Sequence, residues 1–120
     1  MEENTLTPLE IKLNECEPKR AQLAAAHNCV VHCFGFPVSD KDIAILYIKE
    51  PDRYTKMKAI DVSSDSMTAA NSLVLGACSI TAESDSRFFD GKSENDKLYL
   101  GALMKCSELV QWIIGDVKKK

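Results

Sequence analysis

The chain has 120 residues, of which 45% are hydrophobic and 28% charged, with a formal net charge of −3. This is ordinary globular composition, so wholesale disorder is excluded and one domain (1–120) around a single core is expected. Net negative charge gives no reason to bind a phosphate backbone, and no run approaches the ~20 apolar residues that cross a bilayer, so neither nucleic acid nor membrane is expected as a partner.

In chain order, Thr7-Pro8-Leu9-Glu10 combines an N-cap threonine, a proline at the first helical position and a glutamate three residues after the cap. Leu9, Leu13 and Cys16 continue one face. Pro18 lacks a backbone donor and predicts a kink or break, after which Arg20 to Ala26 resumes as strong helix former and His27-Asn28 stops it. The period then changes. Cys29 to Phe36 and Ile43 to Ile48 are β-branched and aromatic runs joined by the turn-forming Pro37–Asp42, which reads as an antiparallel hairpin. Such a hairpin is marginal alone, so helices must cover a face.

Pro51 suits the first turn of a short helix over Tyr54 to Val62. Ser63-Ser64-Asp65 offers caps for the next, whose apolar face is Met67, Ala70, Val74, Ala77 and Cys78. Ser79 to Asn95 is a long acidic loop around Phe88-Phe89. The last helix is expected from about Asp96 to Val117, with Leu98, Ala102, Cys106, Leu109 and Ile113 as a core ridge and Trp112 exposed at its edge. Lys118–Lys120 reads as a solvated tail that complements the helix dipole. The expected fold is α+β: an N-terminal helical segment, an antiparallel β-hairpin, and two to three C-terminal helices packed on one sheet face.

Reactive chemistry finds little support. The five cysteines, Cys16, Cys29, Cys33, Cys78 and Cys106, are odd in number and irregular in spacing, unlike a disulfide framework. Met-Glu-Glu-Asn lacks the basic and apolar regions of a signal peptide, so a reducing cytoplasm is expected. His27 to Cys33 holds two histidines and two cysteines, but zinc wants four converging ligands and no second pair lies nearby. In a strand, Cys29 and Cys33 share one face while His32 points to the other, which separates the histidine from the thiol it would need to activate. Set on an EF-hand frame with Gly91 at the sixth position, the acidic loop places Lys97 at the terminal ligand. The glycines form no phosphate-cradling pattern. No enzyme, metal or cofactor is expected, and the cysteines read as packing residues.

The element order carries a resemblance. A helix ends at an Asn28 turn and leads into a strand. Ile43–Lys49 runs into Lys49-Glu50-Pro51-Asp52-Arg53, a helix follows with Leu73-Val74-Leu75-Gly76-Ala77-Cys78-Ser79-Ile80 near its end, and an acidic loop precedes a final amphipathic helix. From Lys19 to Val117 this resembles small phage tail assembly chaperones and related phage and prophage proteins, in which an extended segment is followed by a basic residue, a proline and an arginine. The resemblance implies a non-enzymatic protein of the bacterial host cell that covers the apolar faces of the tape-measure protein and keeps it soluble during tail assembly. It also implies an apolar surface broad enough for self-association. The candidate partner-binding residues are Phe34 and Phe36 at the hairpin end, Phe88 and Phe89 in the loop, and Trp112. The alternative is a small phage or prophage regulator that inhibits one host enzyme through its Phe-containing loop.

Overall fold

The structure, a computed structural model, describes residues 6–39 and 41–119; Met-Glu-Glu-Asn, Asp40 of the hairpin turn and Lys120 of the basic tail lie outside them. Helix α1 (Pro8–His27) opens on a complete capping box: the Thr7 hydroxyl accepts from the Glu10 N–H at 3.1 Å and the Glu10 carboxylate accepts from the Thr7 N–H at 2.8 Å. It closes where Asn28 turns left-handed (φ 53°), a conformation asparagine tolerates. Pro18 neither ends nor divides α1, so of the expected kink or break the break does not occur. The proline ring is exposed, and so is Asn14, whose carbonyl loses its donor and can turn to water. Just beyond, the Arg20 guanidinium is held by Glu17 and donates to the Val31 carbonyl at 3.2 Å, which ties the helix to the hairpin.

Strands β1 (Val31–Pro37) and β2 (Ile43–Lys49) pair antiparallel, from Val31 opposite Lys49 to Pro37 opposite Ile43. Strand alternation sorts their side chains. Val31, Cys33, Ile43, Ile45 and Tyr47 pack with Leu13, Cys16 and Leu23 of α1, while Phe34, Phe36, Ala44, Leu46 and Ile48 pack with the later helices. Gly35 allows α1 its close approach, since a Cβ there would stand 2.6 Å from Leu9 Cδ1. The architecture is α+β as expected, with the C-terminal helices on one sheet face and α1 on the other. The expected single core is therefore two clusters, because the hairpin stands between them.

Helix α2 (Arg53–Ser63) is capped by Asp52, α3 (Met67–Cys78) by Ser66, and α4 (Asp96–Lys119) closes the fold. The cap of α3 is thus one residue beyond the expected run, and Ala77 is exposed while Leu75 is buried. On α4, Leu98, Ala102, Cys106 and Ile113 are core as expected; Leu109 is only half-buried. The acidic loop is held by the open edge of β2. The Ile80 N–H donates to the Tyr47 carbonyl and the Asp85 N–H to the Ile45 carbonyl, both at 2.9 Å. The Ser84 hydroxyl accepts from the Tyr47 N–H, also at 2.9 Å. Among the described residues, no helix is long and apolar enough to cross a membrane.

Candidate protein-binding groove

Helix α3 packs against both α2 and α4, whereas α2 and α4 touch each other sparingly. The space between them is a groove of about 690 Å³ floored by β1. Each wall follows from helical spacing. Arg53, Lys56, Met57 and Ile60 stand at i, i+3, i+4 and i+7 on α2, and Glu108, Leu109, Trp112 and Ile113 line the α4 side. The floor is His32 and Phe34 of β1, with Glu50 and Pro51 closing the end where β2 passes into α2. The Pro51 side of this corner is buried and Asp52 accepts from the Thr55 N–H at 2.9 Å, so the first turn of α2 is fixed in place.

Part of the apolar lining is open to solvent, with Met57 59% exposed and Trp112 75%, while Pro51 and Ile113 are buried. Of the lining polar groups, His32, Glu50, Lys56 and Glu108 are engaged in ion pairs or hydrogen bonds. His32 Nε2 meets Glu50 at 2.9 Å, Lys56 meets the same carboxylate at 3.4 Å, and Glu108 meets Lys105 at 3.5 Å. The His32 ring stacks on Phe34 with centroids 6.2 Å apart, and the Lys105 ammonium stands 5.6 Å from the Phe34 centroid.

Of the five partner-binding candidates, the groove unites Phe34 and Trp112 and leaves out the other three. Phe36 packs edge-on against Phe88 at 5.2 Å, with Gly101 of α4 beneath its ring. Phe88 is 1% exposed and belongs to the core, so it offers a partner no surface; the loop's anchoring to β2 drives it inward. Phe89, 37% exposed, lines a separate small pocket with Tyr99, Lys92 and Asn95. Sequence reading missed Met57, Ile60 and Leu109. The signal for the first two was present, since Arg53, Lys56, Met57 and Ile60 recur at helical spacing; Leu109 was assigned to the core because α4 has a continuous apolar stripe.

The thiols stand apart from the groove. Cys33 lies under α1 beside Cys16, and burial first, then that neighbour, pushes its pKa up to about 12. Burial likewise pushes Cys78 up to about 11 and Cys106 to about 12. These three are protonated at neutral pH and correspondingly weak as nucleophiles or metal ligands. Among the described residues, no three His, Cys, Asp or Glu side chains are gathered as a metal site would require. No family model, curated protein or solved structure matches the chain.

Proposed function

We propose that this protein is a non-catalytic binder of protein helices, working in the bacterial host cell as a tail-assembly-chaperone-like factor that keeps a tape-measure protein soluble. The observation that carries the reading is the groove between α2 and α4, a mostly apolar trough in which Met57 and Trp112 are left in water. An exposed apolar trough rimmed by polar groups is a usual mark of a protein-binding surface, and an amphipathic helix supplies the complementary apolar stripe. Met57 suits a client bound at low specificity, because its unbranched side chain refits to different neighbours. The raised pKa of the buried thiols further supports a binding role over thiol chemistry.

The test is co-expression with an otherwise insoluble tape-measure fragment. The wild-type protein should bring the fragment into the soluble fraction. The double variant Met57→Ser, Trp112→Ser should fold, since both side chains are largely exposed, and should fail to do so. A double variant as effective as the wild type, or a wild type that solubilises no fragment, would remove the assignment.

A further inference from the structure

We propose that the open edge of β1 pairs antiparallel with β1 of a second copy, making a symmetric dimer with one sheet running through it. The pairing is independent of the groove. The hairpin register decides which backbone groups face outward. The Glu50 N–H donates to the Val30 carbonyl at 2.8 Å and the Val38 N–H to the Asp42 carbonyl at 2.7 Å, at the two ends of a ladder without a bulge. Antiparallel bonding alternates, so His32, Phe34 and Phe36 bond across to β2, while Val31, Cys33, Gly35 and Pro37 turn their backbone groups away from it. The outward groups of β2 follow the same alternation and are met by the acidic loop at Ile45 and Tyr47. Among the described residues nothing does this for β1. No strand pairs with its outer side, and of its outward groups only the Val31 carbonyl has a partner, the Arg20 guanidinium at 3.2 Å. The edge is guarded at its ends, by Arg20 and by Pro37, and bare at Cys33 and Gly35.

The pattern left on the edge is complementary to itself. With Phe34 on the twofold axis, Cys33 lies opposite Gly35 of the second copy, and the N–H of each reaches the carbonyl of the other. Val31 then lies opposite Pro37, whose carbonyl accepts the Val31 N–H. Pro37 has no N–H to return, and the Val31 carbonyl needs none because Arg20 already holds it. Neighbouring registers lose this match. A slip one way sets Pro37 against Cys33 and leaves the Cys33 carbonyl without a donor. A slip the other way aims the Gly35 N–H at the Val31 carbonyl that Arg20 occupies. The matched register also sets Phe34 against Phe34, and His32 against Phe36, as the close pairs of the new ladder, where aromatic neighbours stabilise strand pairing. Its axis stands perpendicular to the sheet, so both α1 helices stay on one face and the later helices of both copies on the other. An unrelated extended segment, with an N–H at every position, has no such reason to spare the Val31 carbonyl.

Analytical ultracentrifugation of the full chain should show a monomer–dimer equilibrium that depends on concentration. Amide hydrogen exchange then reads the edge itself. Where the dimer prevails, the Val31, Cys33 and Gly35 amides should exchange at least about 10-fold more slowly than in the dilute monomer. The His32, Phe34 and Phe36 amides, bonded to β2 in either state, should change less. Phe34→Cys, its fold checked by circular dichroism, should link two copies through the introduced thiols when oxidised glutathione is added. Close antiparallel pairs hold their Cα atoms about 4.5 Å apart, within disulfide reach. His32→Cys should not link to its own copy, since the twofold sets those positions about 14 Å apart along and across the strands. Peptide mass mapping identifies the linked residues. A chain that stays monomeric up to about 1 mM would overturn the pairing. So would a dimer whose Cys33 and Gly35 amides exchange as in the monomer, or one that Met57→Ser dissociates and Phe34→Cys does not link, which would put the second copy in the groove. Edge amides protected only when an extended peptide is added to a monomeric chain would make another protein the occupant and overturn the dimer.

Discussion

Phe88 and Phe89 are chain neighbours with the same side chain, yet one is sealed in the core and the other half-open to solvent. The difference comes from the single turn of 3₁₀ helix at Ser86–Phe88, capped by Asp85, which aims the first ring at Phe36. Substitution should separate them. Phe88→Ala should destabilise the protein by about 3–5 kcal/mol, the range for deleting a buried phenylalanine. Phe89→Ala should cost under about 1 kcal/mol. Equilibrium urea denaturation reads both, and equal losses would mean that the loop packs differently. Leu109, half-buried at the groove wall, belongs between these extremes.

Among the elements, the loop from Thr81 to Asn95 depends most on charge. Arg87 donates to both oxygens of Asp42 at 2.8 and 2.9 Å and to Asp85 at 2.8 and 3.0 Å, clamping the loop to the hairpin turn. Those hydrogen bonds hold both carboxyls below their ordinary pKa. A carboxyl with a lowered folded-state pKa stabilises the fold at pH above its unfolded value, near 4, and loses that contribution as the pH falls through the folded value. The wild type should therefore lose stability below about pH 4 more steeply than Arg87→Met. Denaturant midpoints taken stepwise from pH 7 to pH 2 should converge toward acid pH. Parallel curves would mean that the clamp contributes nothing, the usual result for an exposed ion pair in water.

At the scale of the whole molecule, two strands hold helices on both faces. A two-stranded sheet is not stable alone, so each helical layer depends on the other. Removing residues 1–28 would expose the α1-facing side of the hairpin, including Val31, Ile45 and Tyr47, all buried in the full chain. The truncated protein should aggregate or lose cooperative unfolding, as followed by near-ultraviolet circular dichroism and size exclusion. A truncated chain that still unfolds cooperatively would show that α2–α4 and the hairpin suffice, and that α1 is an accessory.

Local signals alone determined much of this protein. The capping box at Thr7, the Asn28 stop, the alternation of β1 and β2 and the stripe on α4 each rest on residues close together in the chain, so period and caps declare them. The exposure of Trp112 followed from the same periodicity. What needed the tertiary structure is everything set by contacts between distant residues. Pro18 allowed a kink or a break because propensity weighs one backbone bond, and the packing of α1 on the hairpin keeps the helix continuous. Phe88 could not be assigned inside or outside until the loop's hydrogen bonds to β2 placed it. The groove was illegible for the same reason. Its walls come from α2 and α4, and only the uneven packing of α3 between them leaves Met57, Leu109 and Trp112 facing a common space that no single stretch of sequence encloses.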